Sequence, residues 1–246
     1  MIDIHCHLLP CLDDGPVSVE ESLLLAQQAV NDGVTHAILT PHIYPGRWNN
    51  NSGGIHRALK KFRAALTKTA IPLSVGMAAE VRIGTDLIPL IEKNEIPFIG
   101  RHREKNVLLL ELPHSHIPPG SIKIIEWMLD NDILPMIAHP ERNKDIMRQV
   151  EKLKDFSQMG CLFQVTAGSV WGQFGPAAMK TSIALLEAGM VTVLASDAHH
   201  PKRRPVNLSS GYSAAIDIVG EMEARKLVHD APRKIAQYNC ALGLVE

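Results

Sequence analysis

Seven short apolar runs punctuate the chain, at 1–5, 35–40, 73–79, 106–112, 134–138, 161–165 and 191–195. Each is too short for a helix and nearly continuous in hydrophobicity, as a strand buried on both faces must be. Between them apolar residues recur at helical spacing over about 18–32, 52–69, 84–93, 119–131, 144–158 and 176–188, then in two further helices over roughly 209–240. Strand alternating with helix predicts parallel βαβ units and an α/β fold, either a barrel or a doubly wound sheet. No repeat, linker or low-complexity tract divides residues 1–246, so one domain is expected. Local signals mark the boundaries. Ser18 and Glu21 form a capping box, and Asn31-Asp32-Gly33 and Gly189 supply stops before the next strands. Residues 44–54, polar and glycine-rich around Trp48, read as an exposed loop facing a substrate.

The carboxyl end of each run is where parallel α/β folds place their chemistry. The first run delivers His5 and His7, the second His42, the third Glu80 and the fourth Glu111. The fifth delivers His139 and the seventh Asp197 and His199. Taken singly, a histidine after Thr-Pro or a glutamate at a strand end is ordinary. Six of seven strand ends carrying such a residue describes one pocket lined with imidazole nitrogens and carboxylate oxygens. That donor set, without thiolate, suits Mn²⁺, Fe²⁺, Co²⁺ or Zn²⁺, and a bridging carboxylate such as Glu80 can join two ions. Asp13-Asp14-Gly15-Pro16 can return a carboxylate to the same place. Arg142 and the run Lys202-Arg203-Arg204 put cations at its rim, where guanidinium groups fork onto phosphate oxygens. His114 and His116 repeat the His-x-His spacing behind Glu111 and rank second as ligands. His200 stands next to His199 within reach of a substrate, while His36, His56, His102 and His229 fall on a strand start, an amphipathic helix, a charged loop and a surface helix.

Formal net charge is −1, so the chain as a whole has no attraction for nucleic acid or an anionic membrane, and any anion site must be local. No apolar stretch approaches the ~20 residues of a membrane helix. The opening residues lack the basic and apolar regions of a signal peptide, so a cytoplasmic enzyme without membrane insertion is expected. The four cysteines Cys6, Cys11, Cys161 and Cys240 include no CxxC pair, so neither a disulfide framework nor a thiolate zinc knot is expected. They also exclude a thiol phosphatase, which needs Cys-x5-Arg: the residues at that spacing are Leu12, Val17, Ala167 and Glu246.

Taken together, Asp3-Ile4-His5-Cys6-His7, Asp13-Asp14-Gly15-Pro16, Thr40-Pro41-His42, His139-Pro140-Glu141-Arg142 and Ser196-Asp197-Ala198-His199 resemble the polymerase-and-histidinol-phosphatase (PHP) superfamily. More narrowly they are similar to its bacterial protein-tyrosine phosphatases of the CpsB/YwqE type, linked to capsular and exopolysaccharide synthesis. The resemblance implies a distorted (β/α)₇ TIM-like barrel with three divalent metal ions, manganese in the typical case. It implies one ion on Glu80, Glu111 and His139, a second on His5, His7, Glu80 and Asp197, and a third on Asp14, His42 and His199. Asp3 would orient a histidine from behind. Arg142 and Arg204 match the phosphate-holding arginines, with Arg203 the alternative to Arg204; Asp14 and His199 count among the catalytic groups. Three divalent ions outweigh the four carboxylates and leave positive charge for a phosphomonoester dianion. The implied substrate is phosphotyrosine on a protein, in particular a bacterial tyrosine kinase. A small-molecule phosphatase acting on histidinol phosphate, and a non-catalytic metal-binding assembly protein, are the alternatives.

Overall fold

Hydrogen bonding turns the seven apolar runs into seven parallel staves among the described residues, which in this computed structural model are residues 1–239. Cys240 and the tail of the last predicted helix lie outside the described residues. In chain order the elements begin with β1 (Ile2–Cys6), α1 (Val19–Asn31), β2 (His36–Leu39), β3 (His42–Ile43), α2 (Ser52–Lys68), β4 (Ser74–Met77) and β5 (Glu80–Arg82). They continue with α3 (Leu87–Glu92), β6 (Gly100–His102), β7 (Lys105–Glu111), α4 (Ser121–Asp130), β8 (Ile133–Ala138), α5 (Lys144–Arg148), α6 (Lys154–Gln158) and β9 (Leu162–Thr166). The chain then runs through α7 (Ala167–Val170), α8 (Pro176–Glu187), β10 (Val193–Ala195), α9 (Leu208–Val219), α10 (Glu221–Arg225) and α11 (Ala231–Ala236).

Two staves are broken. Pro41, which has no N–H to give, separates β2 from β3, and β4 and β5 divide at the same height. The ladder nevertheless crosses both breaks, through Ala78 N to Leu39 O (2.9 Å) and Glu80 N to Pro41 O (3.2 Å). Counted as staves, the parallel order runs β1, β2/β3, β4/β5, β7, β8, β9, β10. The ring closes where Asp197 N donates to His5 O and His7 N to Ala198 O, both at 2.8 Å. The expected α/β barrel is therefore the fold. The antiparallel hairpin strand β6 is an addition outside the ring, and it holds His102, which the sequence placed in a loop.

The strands are buried on both faces. Along β7, Val107 and Leu109 join an interior cluster with Ile4, Ile38, Met136 and Val193, while Leu108 and Leu110 join the layer under the helices. Ser18 caps α1 as its capping box predicts, accepting from Glu21 N, and Asn51 caps α2 by accepting from Gly54 N. The single helix expected over 144–158 is instead α5 and α6, separated by an extended Gln149 and a 3₁₀ turn at Val150–Leu153. Apolar periodicity survives such a break, because Ile146, Leu153 and Phe156 all stay on the core side. The helices expected over 209–240 divide at Gly220, whose φ of 82° lies in the left-handed region. No helix among the described residues is long and apolar enough to cross a membrane.

Gly211 in α9 shows how closely the outer helices pack. A Cβ there would lie 2.5 Å from the Ala167 Cβ and 2.7 Å from its Cα and carbonyl oxygen. Gly211→Ala gains about 1 kcal/mol of helix propensity, but forcing backbone apart costs about 1–3 kcal/mol. The expected net result is a thermal midpoint lowered by about 2–4 °C; a rise would contradict this contact.

Candidate metal centre

His5 and His7 leave β1 on successive turns of an extended chain, and both side chains are fully buried. Their outer ring nitrogens are held from behind. The Gln164 Oε1 atom accepts the His139 backbone N–H (3.3 Å), which orients the amide so that His5 Nδ1 donates to the same oxygen at 2.8 Å. His7 Nδ1 donates to Asp13 Oδ2 at 2.6 Å. With each Nδ1 carrying the proton, both Nε2 lone pairs face inward, 3.3 Å apart. Glu80 Oε2 lies 3.2 Å from each of them, and Asp197 Oδ1 lies 3.4 and 3.6 Å away. Four acceptor atoms thus converge with no donor between them. Such a convergence is suited to a bound cation.

Two further groups adjoin this one. Donor atoms of His7, Asp14, His42 and His199 lie within 4.8 Å of one another, as do those of His42, Glu80 and Glu111. The three groups share His7, His42 and Glu80. Buried Glu80 Oε2, Glu111 Oε2, Asp197 Oδ1 and His42 Nδ1 have no hydrogen-bond partner. This is the signature of a site built for cations, and the donor set fits divalent metals of the Mn²⁺ to Zn²⁺ series. His139 differs from the grouping implied by the resemblance: its Nε2 lies 2.7 Å from Glu80 Oε1, beside the other donors and outside the three compact sets.

The electrostatics agree. Burial opposes charge on Glu80, but His5, His42 and His139 hold its carboxyl well below the usual range. Burial likewise opposes charge on Asp197, and Arg204 and Arg142 overcome it. At Glu111 compensation falls short: burial, with the charge on Glu80 behind it, pushes its carboxyl up to about 8 against the pull of Arg82 and Arg142. Burial takes His42 down to about 4 and, with Arg142, His139 down to about 3, leaving neutral imidazoles. His5 and His7, which burial alone would depress, are raised, by Glu80 and Asp197 in one case and by Asp13 and Glu80 in the other. Metals require neutral imidazoles and ionised carboxylates, the forms favoured at His42, His139, Glu80 and Asp197, whereas His5, His7 and Glu111 would give up a proton on binding one.

Strand exits are bent to aim these groups. His139 and Asp197 have φ of 31° and 51°, left-handed conformations that cost non-glycine residues about 1–3 kcal/mol each. Behind Asp197, Asp3 accepts from Ser196 Oγ at 2.5 Å and from His5 N at 3.3 Å. In front of it, Asp197 Oδ2 accepts from Arg142 Nη1 (2.7 Å) and Arg204 Nη2 (2.6 Å). One carboxylate therefore faces the centre with one oxygen and anchors two arginines with the other. Arg204, not the exposed Arg203, lines the cavity.

The cavity, of about 320 Å³, also contains Arg47, Trp48, Arg82, His114 and Phe174. Of these, Arg82 and Phe174 were not anticipated; Arg82 Nη2 lies 3.1 Å from Glu111 Oε2. The Nε atoms of Arg82, Arg142 and Arg204 are buried without an acceptor. Of the secondary candidates, His114 is on the cavity wall, His116 is exposed with its ring against Ser115, and His200 accepts from Lys202 N and Arg203 N. A larger cleft of about 460 Å³, lined by Leu186, Val191, Ile218 and Leu227, offers no comparable donor set.

Residues 1–237 match the family described as capsular polysaccharide synthesis, CpsB/CapC. The tyrosine-protein phosphatase YwqE of Bacillus subtilis (strain 168) is 33% identical over 204 residues, covering 83% of this chain and 79% of its own. The tyrosine-protein phosphatase CpsB of Streptococcus pneumoniae is 30% identical over 241 residues, covering 96% and 98%. A crystal structure described among those of YwqE and CpsB, metal-dependent tyrosine phosphatases, superposes with a TM-score of 0.89 at 30% identity, over 97% of this chain and 95% of that one. Dihydropyrimidinase from Brevibacillus agri shares the fold alone, with a TM-score of 0.57 at 10% identity over 95% of this chain and 69% of that one.

Gln164 touches the centre only through His5 and His139, so its effect should appear in cation affinity. Gln164→Ala is expected to weaken divalent-cation binding roughly 10- to 100-fold, read by competition with a chelator, while the circular dichroism spectrum is unchanged. Unaltered affinity would contradict the orienting role.

Proposed function

The chain belongs to the CpsB/CapC capsular polysaccharide synthesis family, and from that premise we propose that it is a metal-dependent protein-tyrosine phosphatase, a hydrolase of phosphomonoesters. The observation that supports this most is the complementarity within one cavity. Carboxylate and imidazole atoms lacking a donor lie beside guanidinium Nε atoms lacking an acceptor. The first set calls for cations, the second for an anion.

The proposed ligands are His5, His7, Asp14, His42, Glu80, Glu111, His139, Asp197 and His199, holding three divalent ions, manganese in the first instance. Bound there, such ions supply acidified water and neutralise charge developing on phosphorus. The chain's own part is binding and orientation. Arg142 and Arg204, braced on Asp197, present their guanidinium groups to the phosphoryl oxygens, where paired charged hydrogen bonds fix direction as well as affinity. Asp14, whose side chain is 44% exposed, and His199, 3.5 Å from it, close the donor set on the solvent side, so we count both with the catalytic groups. The leaving phenolate, with a conjugate-acid pKa of ~10, departs without a strong general acid, and none beyond these groups is needed. A phosphotyrosine-bearing protein is the proposed substrate class, with a bacterial tyrosine kinase its natural source.

Among the described residues a cysteine mechanism has no support in the geometry. Cys6 and Cys161 are buried, and burial pushes the Cys161 thiol up to about 12. Chelation should therefore abolish hydrolysis of a phosphotyrosine peptide, and Mn²⁺ should restore it, whereas iodoacetamide should modify exposed Cys11 and spare turnover. Loss of activity on alkylation with the metal retained would overturn this reading. Arg204→Ala should raise KM for the peptide at least about tenfold, the effect of losing one charged hydrogen bond of about 1.5–3 kcal/mol. An unchanged KM would remove Arg204 from phosphate binding.

A further inference from the structure

The loop at residues 44–51 is built more firmly than a surface loop needs to be. Tyr44 and Trp48 exchange backbone hydrogen bonds (3.0 and 2.8 Å), and Asn49 Oδ1 accepts from Gly46 N at 2.9 Å. The Asn50 side chain donates to the carbonyls of Leu12 and His42, both at 2.8 Å, which ties the loop to the first and second staves. Trp48 packs face to face on His42, with ring centroids 4.7 Å apart and planes 7° from parallel. The same indole carries the Arg47 guanidinium, 3.9 Å from its centroid. A stack of planar groups thus links the donor cluster to an exposed cation on the cavity wall.

Arg47 has no carboxylate partner among the described residues; its guanidinium rests on the indole ring. The neighbourhood reinforces its sign. Arg82, Arg142 and Arg204 line the same cavity, and Lys144 adjoins His114 through a backbone hydrogen bond of 2.9 Å. The His114 imidazole is pushed down by burial first and then by Arg142, Lys144, Arg82 and Arg204. The acidic groups of the cavity lie at the donor cluster, and Arg82, Arg142 and Arg204 are already engaged with carboxylates. With a formal net charge of −1 over the chain, the gathering of four arginines at one cavity is a local construction.

We propose that Arg47, presented on Trp48, is a specificity residue that reads an acidic side chain flanking the phosphotyrosine of a protein substrate. The inference rests on the phosphatase reading and narrows its substrate class to phosphotyrosine in an acidic peptide context. A pinned loop loses little freedom on binding, so the cation is available without reorganisation. Its place on an exposed rim sets the scale: an ion pair there supports a preference of roughly two- to fivefold, diminished by salt.

The test compares two phosphotyrosine peptides, identical except that one has glutamate and the other lysine beside the phosphotyrosine. Each enzyme is measured for kcat/KM on both and for binding by fluorescence anisotropy, and the ratio within one enzyme cancels any general damage. The wild type should favour the glutamate peptide, through KM, and the ratio should shrink as salt rises. Arg47→Lys should keep the preference, Arg47→Ala should lose it and Arg47→Glu should invert it. Equal handling of both peptides by the wild type, or a ratio unmoved in Arg47→Glu, overturns the proposal while leaving the phosphatase reading intact. Binding with the predicted preference but no hydrolysis by the metal-loaded wild type overturns the phosphatase reading and supports the charge recognition. Neither binding nor hydrolysis overturns both.

Discussion

Glu80 is a carboxylate with no solvent exposure, surrounded by imidazoles: His5, His7 and His42 at 3.2 Å and His139 at 2.7 Å. Removing such a group from water costs several kcal/mol even after relaxation. The hydrogen bond from His139 returns part of that energy, and a bound cation facing the unpartnered Oε2 atom would return more. The barrel therefore assembles a charge problem that bound divalent ions would solve, and much of the surrounding structure bears on it. Gln164 and Asp13 turn the imidazoles inward, left-handed backbone at His139 and Asp197 aims the last strand exits, and Arg142 and Arg204 balance Asp197.

Asp197 connects the two halves of the chemistry. Its Oδ1 atom belongs with His5 and His7, while its Oδ2 atom holds both arginines. The arginines proposed to hold phosphate and the donor cluster are thus rigidly related, as in-line attack on a bound phosphoryl group would demand. The same economy appears at His42, which contributes to two donor groups and carries Trp48 on its ring.

Much of this was legible in the sequence for a definite reason. A parallel barrel places strand ends on one rim, so residues far apart in the chain but equivalent in the βαβ repeat must meet. His5, Glu80, Glu111, His139 and Asp197 needed only that rule to be brought together. The remainder required distances. Gln164, at the one strand end without an ionisable residue, has no ligand chemistry of its own; an amide in the fully buried run Leu162-Phe163-Gln164-Val165 was its only trace. Arg82 lies just past Glu80, in a stretch where the broken stave β4/β5 hides the strand's true end. The break after α5 was invisible because apolar spacing continued through it. Arg204 was separated from Arg203 only by the turn at His200, which sends one side chain inward and leaves the other exposed.

The central claim is that these donors hold a cluster of divalent ions on which phosphotyrosine hydrolysis depends. Metal content by plasma mass spectrometry, taken with phosphotyrosine-peptide turnover on one preparation, measures both sides of it. The account predicts activity that rises with occupancy and is complete at three ions per chain. Full activity with fewer than two bound ions would contradict it.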